Sequence, residues 1–556
     1  MPNFLDTIFA QVQRSAGRVI LREIHGEQFV SVTGRELLDQ VRHVRAYLRK
    51  AGLHPGDRCA LLAPNSIRWA AFDLALMAEG LIVVPLYYRQ SPGELVAMMK
   101  DSQPKLLLVS DSALAHAATK AWTGDASAAP RAALFDEVLQ GSASAPPISD
   151  APNPRGDADI VSIIYTSGTS GEPKGVCLTI ANVTHMLSCT TERLDQLMGQ
   201  TREPDRVFHY APFNFAASWI LLLSCLSRES VLTLSTDLAK LPDEIRVSAP
   251  HYFLNVPTLL ERVRRGVEEA LSKRAAPIRS LYVKAREAWQ RKNSSRARAS
   301  DVLWLALGRK LIFSKIRQRF GPHLRALICG SAPLAPETQQ FFLMIGIPVL
   351  QAYGLTETTA ICTLDDPRVQ AEPGYVGQAI RGIEMKVADN DEIVVRGPHI
   401  FAGYWNRPEE TARVLRDGWF RTGDQGEVNL RGIWRIIGRI KNLIILNSGH
   451  NVPPEPIEDK IAHHLSAAQH VIIVGNGRSY LCALVVGPVE PQAVQSALDA
   501  VNPGLPHYRQ IRNFAVVREV FTPESGLLTA MGKLRRDAIN ARFASEINSM
   551  YDRKPS

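Results

Sequence analysis

Between Tyr165 and Val176 the chain reads YTSGTSGEPKGV, in which seven of twelve residues are Thr, Ser or Gly and the only cation is Lys174. Successive backbone N–H groups freed from Cβ crowding, with hydroxyls beside them, form a nest for phosphate oxygens, and the lysine adds a mobile positive charge. The run DIVSIIYT before the loop is β-type, and VCLTIANVTHML after it begins as a strand and turns helical, so a strand-to-strand turn is expected. A Walker-type loop is excluded. That pattern needs Gly before the lysine and Ser or Thr after it, where this chain has Pro173 and Gly175. On these residues alone, a polar hairpin without a ligand stays open.

The segment resembles the signature of the AMP-forming adenylate-forming superfamily, which includes acyl- and aryl-CoA synthetases, firefly-type luciferases and peptide-synthetase adenylation domains. The likeness continues in the family's order through QAYGLTETT (351–359), GWFRTGD (418–424), GRIKNLI (438–444) and LLTAMGKLRR (527–536). Five ordered motifs cover nearly the whole chain. The resemblance implies a two-step reaction: a carboxylate joins the α-phosphate of ATP with release of pyrophosphate, then the acyl group passes from AMP to a thiol. It also implies an α/β fold. A large N-terminal domain (1–440) of αβ-layered subdomains plus a β-rich subdomain is followed by a small mobile α+β domain (441–556) hinged at Lys441.

By the same resemblance, Thr166, Ser167, Gly168, Thr169, Ser170, Gly171 and Lys174 hold the β- and γ-phosphates. Tyr353, after which Gly354 turns the chain, lies against adenine; Thr356 reaches a phosphate oxygen, and Glu357 holds the Mg2+ that accompanies ATP. Alone, that Thr-Glu pair would read as a helix N-cap with a first-turn acid. Asp424 has two acceptor oxygens for the ribose hydroxyls, Arg439 supplies donors nearby, and Gly330, Ser331 and Ala332 line the adenine and acyl pockets. Lys533, which alone would be a solvated surface lysine, enters the site during adenylation and bridges carboxylate and phosphate oxygens. A swing about Lys441 then withdraws it and brings Gly449 and His450 to the thiol channel. Lys533, Thr356, Glu357 and Lys174 are thus the expected catalytic residues.

GHNVPPEPIEDKI resembles the form found in long-chain acyl-CoA synthetases, as does a long basic segment ahead of LICGSAPL. A medium- to long-chain fatty acid and CoA are therefore the expected substrates. A fatty acyl-AMP ligase charging the phosphopantetheine of a carrier protein shares every nucleotide motif. A non-catalytic acyl-nucleotide sensor would be expected to have lost Lys533, Glu357 or Lys174, and all three are present. In APFNFAASW many relatives have a histidine where this chain has Phe215; Phe213, Phe215 and Trp219 are read as an acyl gate or, equally, as a packed core helix.

The elements that must position these residues alternate from Thr33. A helix runs to Lys50, and RCALLAP, LIVVPLY and KLLLVSD read as strands separated by helices, the pattern of a parallel sheet under covering helices. WTGDASAAPRAALFDEVLQGSASAPPISDAPNPRGD reads as a surface connection. After Asp391 short strands and turns take over, and helices are expected near 456–465 and 533–548.

At 556 residues with 46% apolar and 21% charged residues, the chain is globular and too long for one core. Seven scattered cysteines without CxxC spacing suggest neither a disulfide framework nor a zinc cage, which fits a reducing, cytoplasmic setting. The first residues lack the basic start of a signal peptide, and the longest apolar run, FAASWILLLSCL, is too short to span a bilayer. The net charge of +9 is uneven: 262–319 holds 17 Lys and Arg against four acids, a net of +13, which leaves −4 for the remainder. Such a segment could lie peripherally on an anionic membrane or be a solvated helical face. It lacks the aromatic interleaving of a nucleic-acid module, so no nucleic acid is expected.

Overall fold

The computed structural model describes residues 2–123, 129–140, 149–167, 173–199, 203–294, 296–465, 467–522, 525–529 and 532–552. Two large sheets carry the N-terminal domain. The first has seven strands in the spatial order 403–404, 173–179, 160–167, 82–86, 58–62, 106–109, 131–134. The second has nine, in the order 378–379, 363–364, 349–353, 326–329, 252–255, 205–209, 230–235, 19–25, 28–33. The parallel pairs 58–62 with 82–86 and 106–109 are the ones the β-α alternation predicts.

Helices fill the space between the sheets. Ile67–Ala78 and Ala216–Leu226 are buried on nearly every side, Arg68 and Ala217 excepted, as a helix covered on both faces must be. The second is the longest apolar run of the chain, so that run is core, and among the described residues no helix is long and apolar enough to cross a membrane. Helix starts follow their caps: Thr33 accepts from the N–H of Glu36 while the Glu36 carboxylate accepts from that of Thr33, and Thr179 and Asn182 repeat the exchange at the helix after the phosphate-type loop.

A five-stranded, mainly antiparallel sheet follows, built from 384–387, 392–396, 415–416, 419–428 and 434–439. The smaller C-terminal domain has a three-stranded sheet, 470–474, 481–486 and 511–517, under helices Glu455–His464 and Pro491–Val501 on one side and Arg536–Arg542 and Ala544–Asp552 on the other. All seven cysteines are buried and unbridged.

Two expectations are corrected. The supposed surface connection contains an edge strand, Arg131–Leu134, which extends the first sheet, and a short helix, Phe135–Gln140, whose Phe135 stacks on Phe72 at 4.1 Å. The single helix expected over 533–548 is two, starting at Arg536 and broken at Phe543, because Phe543 turns into the core against Phe521 at 5.6 Å. Lys533 therefore stands ahead of the helix, in a turn.

Candidate functional site

The strand Val349–Tyr353 ends at Gly354, where a Cβ would lie 2.3 Å from the Ala360 carbonyl oxygen and 2.5 Å from Ile361 Cα, so only glycine fits. One 3-10 turn, Thr356–Thr358, then leaves through Thr359 and Ala360 at φ +51° and +97°. Left-handed backbone is costly for a β-branched residue, and it is held here by Thr359 Oγ1 donating to the His399 carbonyl (2.7 Å) and by the Phe401 N–H donating to that of Glu357 (2.9 Å). Backbone on both sides thus sets where Glu357 stands. The Tyr404 hydroxyl donates to one oxygen of its carboxylate at 2.9 Å.

Tyr353, 9% exposed, donates its hydroxyl to Asp424 Oδ2 at 2.8 Å, and Arg439 Nε lies 2.7 Å from the other oxygen. The antiparallel pairing of Trp419–Val428 with Trp434–Arg439 places Asp424 opposite Arg439. Burial pushes the Asp424 carboxyl above the ordinary aspartate range; Arg439 and the Tyr353 hydroxyl oppose that shift, with Lys533 and Lys441 adding to them.

The predicted strand-to-strand turn is a hairpin of Ile160–Ser167 and Pro173–Thr179 in which Thr166 pairs with Lys174 and Tyr165 with Gly175. Gly168, Thr169, Ser170 and Gly171, together with the Ser167 side chain, lie outside the described residues. Both flanks of the hairpin are tied down. The Tyr165 hydroxyl donates to Asp101 Oδ2 at 2.6 Å, and Lys174 forms an ion pair with Glu410 while its Nζ lies 5.5 Å from the centre of the Tyr404 ring. Arg407 joins these anchors, donating to Asp101 Oδ1 at 3.3 Å and standing 4.0 Å from the Glu410 carboxylate. Lys174 first, and Arg407 after it, hold that carboxylate below the usual range.

Lys533 comes from the C-terminal domain. The backbone bridge between Leu528 and Leu534 closes a tight turn, with the Thr529 N–H donating to the Lys533 carbonyl at 2.8 Å. Two residues on, Arg535 reaches Glu94 of the N-terminal domain at 2.6 Å. Lys533 is exposed to water. The protein surrounding it nevertheless desolvates the ammonium, which with Arg439 and then Lys441 holds it below the ordinary lysine range against the pull of Asp424 and Glu357. The exposed Lys441, in the short turn Ile440–Asn442, is lowered likewise by desolvation and by Arg439. Arg439 thus acts on both Lys441 and Lys533, Lys441 on Lys533 and Lys174 on Lys441, with Asp424 opposing at both lysines and Glu357 at Lys533, a concentration of cations that suits an anion with several charges.

Gly330 follows the strand Ala326–Cys329, and a Cβ there would stand 3.1 Å from the Ala352 carbonyl oxygen; Ser331 is left-handed at φ +74° and, like Ala332, exposed. The three aromatic residues separate. Phe213 and Trp219 are each 1% exposed: Phe213 stacks on His209 at 5.3 Å, and Trp219 donates its indole N–H to the buried Asp73 at 2.8 Å. Both are core, which corrects the gate reading for them. Phe215 keeps part of its ring accessible, 6.2 Å from that of Tyr87. Gly449 and His450 are not gathered. His450 stacks on Tyr508 of its own domain at 4.2 Å, and among the described residues no hydrogen bond, ion pair or ring contact joins it to the cluster.

Tyr404, Arg407, Glu410 and Asp101 were missed by sequence reasoning. For Arg407 and Glu410 the only local signal is RPEET, with Pro and two acids, which reads as an ordinary helix start and is one, Pro408–Val414; Tyr404 and Asp101 lie outside it.

Comparison with known proteins fits this geometry. A family model described as AMP-binding enzyme matches residues 8–405, and one described as AMP-binding enzyme C-terminal domain matches 441–555. A long-chain-fatty-acid–CoA ligase, FadD15 of Mycobacterium bovis, is 26% identical over 99% of this chain and 97% of its own length. The chloroplastic long-chain-fatty-acid–[acyl-carrier-protein] ligase AEE15 of Arabidopsis thaliana is 25% identical over 98% and 86%. Among solved structures, the O-succinylbenzoate coenzyme A synthetase of Bacillus subtilis in complex with AMP superposes with a TM-score of 0.74 at 21% identity, covering 97% of this chain and 98% of that one.

Proposed function

This chain belongs to the AMP-binding enzyme family, and from that premise we propose that it is an ATP-dependent, AMP-forming acid–thiol ligase for a medium- to long-chain fatty acid, with CoA as the acceptor. What supports this reading is the match of family models to both domains, together with Lys533 being within electrostatic reach of Asp424, Glu357, Arg439 and Lys441, and Lys441 within that of Lys174.

In the first half-reaction a carboxylate oxygen of the acid attacks the α-phosphorus of ATP, and the bond to pyrophosphate breaks. The hairpin amides with Thr166 and Lys174 hold the polyphosphate, Thr356 adds a hydroxyl, and Tyr353 backs the base. The Asp424 carboxylate, kept in place by the Tyr353 hydroxyl and Arg439, retains lone pairs for the ribose hydroxyls. Lys533 neutralises charge as the carboxylate and phosphate oxygens close on one another. Glu357 fits a hard cation: Tyr404 engages one of its oxygens, and Mg2+ is commonly held by one carboxylate plus phosphates rather than by an all-protein cage. When bound, that ion offsets phosphate charge.

In the second half-reaction the thiol sulfur attacks the acyl carbonyl, the thiol proton is lost to solvent, and AMP leaves with both bonding electrons. For this the C-terminal domain turns about Lys441, which removes Lys533 and carries Gly449 and His450 inward. Phe215 borders the acyl side. The excess of cations in 262–319 fits peripheral contact with an anionic membrane, where such an acid partitions. The carrier-protein reading is kept alive by the match to AEE15.

The test is pyrophosphate release over fatty acids of graded length, with CoA or acyl carrier protein as acceptor. Acyl-CoA should form, with a maximum at medium or long chains. Release with neither acceptor acylated overturns the ligase assignment, and acylation of the carrier alone moves it to the second reading.

A further inference from the structure

The helix Pro92–Ser102 belongs to none of the five motifs, yet contacts from both of its ends reach the cleft. Its Leu95, Val96, Met98 and Met99 are buried in the core of the first sheet, which holds it in place. Glu94 and Asp101 stand seven residues apart, two helical turns, and so share one face about 10 Å from each other. Asp101 accepts from the Tyr165 hydroxyl at 2.6 Å and from Arg407 at 3.3 Å, and thereby braces a flank of the phosphate-type hairpin.

Glu94 serves the other domain. Ser91 caps the helix and Glu94 follows three residues later, the spacing at which an acid usually turns back to the cap backbone. Here Oε2 accepts instead from the Ser91 hydroxyl at 3.0 Å and from Gln90 Nε2 at 2.6 Å, while Oε1 accepts from Arg535 at 2.6 Å. Burial raises the Glu94 carboxyl, but Arg535, Gln90 and Ser91 together outweigh it and hold the group below the usual glutamate range.

Arg535 is in turn fastened to the turn that carries Lys533. Its N–H donates to the Leu527 carbonyl at 2.9 Å, Leu528 bridges Leu534, and the Lys533 N–H donates to Thr529 Oγ1 at 3.1 Å. Anchoring Arg535 therefore places Lys533, two residues back. Elsewhere the domains set like charge against like: Asp459, on Glu455–His464, is within electrostatic reach of Glu261 and Glu337 of the N-terminal domain. A docked geometry with repulsion at one place needs attraction at another.

We propose that Glu94 is a positioning residue for adenylation: its ion pair with Arg535 latches the C-terminal domain with Lys533 in the cleft, and Pro92–Ser102 sets that latch in register with the phosphate-type hairpin through Asp101. This rests on the ligase reading above. The pair is partly exposed, so its hold is modest, as suits a latch that opens in every turnover.

The test measures both half-reactions in the full chain: pyrophosphate release with a fatty acid, and thioester formation from supplied acyl-AMP and CoA. Glu94→Gln and Arg535→Gln should each lower adenylation kcat by about two- to fivefold with KM for ATP unchanged, while thioester formation runs at or above the wild-type rate. The double variant should lose no more than either single one, since both remove the same contact. Added salt should bring the wild type down toward Glu94→Gln. Trypsin cleavage at the exposed Lys441, located by mass spectrometry, should be faster in both single variants, a readout of undocking that needs no turnover. Equal losses in the two half-reactions, losses that multiply in the double variant, or cleavage at the wild-type rate would overturn the proposal. A wild type that releases no pyrophosphate, with cleavage still faster in both variants, would sink the ligase reading and leave the latch standing.

Discussion

The two sides of the cleft are built differently. On the N-terminal side Asp424 and Arg439 lie opposite each other on paired strands, the Tyr353 hydroxyl reaches Asp424 from the end of a strand in another sheet, and the Gly354 turn tolerates no Cβ. On the C-terminal side Lys533 stands on a turn closed by a backbone bridge and tied across the domains by the ion pair of Arg535 with Glu94, whose partners are 28% and 31% exposed. An ion pair with both partners partly exposed contributes about 0–1 kcal/mol, whereas Asp424 is 5% exposed and hydrogen-bonded by Tyr353 beside an Arg439 that is 36% exposed, and stranding such hydrogen-bond partners costs about 1–3 kcal/mol. In the proposed reading, nucleotide recognition thus belongs to the folded strands, and the charge that attends bond formation to an element able to leave.

The sharpest break in this comparison is Lys533→Ala. Acyl-AMP formation should fall by about two to three orders of magnitude, while thioester synthesis from supplied acyl-AMP continues at close to the wild-type rate. Pyrophosphate release and acyl-CoA formation, assayed separately, give the two numbers, and equal losses would mean that Lys533 is needed in both geometries.

Asp424→Ala attacks the other side and should behave oppositely. It leaves Arg439 and the Tyr353 hydroxyl facing an empty position, so both stability and ATP binding suffer: about 1–3 kcal/mol in denaturant unfolding and roughly a tenfold rise in KM for ATP. Lys533→Ala should leave the unfolding midpoint unchanged. A stable Asp424→Ala protein with normal ATP affinity would show that the partnered cluster is scaffold of little consequence.

What could be read from the sequence follows the same division. The phosphate-type turn, the helix after it and the alternating strands were legible because caps, glycines and apolar periods are local, as in Thr179 with Asn182. Asp424 and Arg439 were legible as motif residues, and strand register explains why they meet. Glu410 was not, because its pairing with Lys174 joins residues 236 positions apart through the strand pair of Tyr404 with Val176. Phe213 and Trp219 failed for a related reason: an aromatic residue near a pocket motif looks the same in sequence whether its ring faces the pocket or, as here, His209 and Asp73.

Glu410 yields a smaller effect that sharpens the picture of the hairpin. Under the proposed role of Lys174 the polyphosphate takes it from this carboxylate, so Glu410→Gln removes a competitor and should lower KM for ATP by about two- to fivefold, in keeping with a partly exposed ion pair. Pyrophosphate should become a stronger product inhibitor, with AMP binding unchanged. A higher KM would make Glu410 a support for the hairpin instead.

The smallest effect concerns protons. Lys533 must be charged to neutralise the forming bond, and desolvation, Arg439 and Lys441 hold its proton more loosely than an ordinary lysine does. Adenylation kcat/KM should therefore decline as pH rises, beginning below the usual lysine range. Lys441→Gln removes one of the repelling charges. The alkaline limb should then move to higher pH, a displacement that shrinks with added salt because both side chains are exposed. Thioester formation from supplied acyl-AMP, with Lys533 withdrawn, should show no such displacement. A limb that moves in both half-reactions would place the titrating group elsewhere, and one that moves downward would mean that Lys441 reaches Lys533 through the domain geometry and not through its charge.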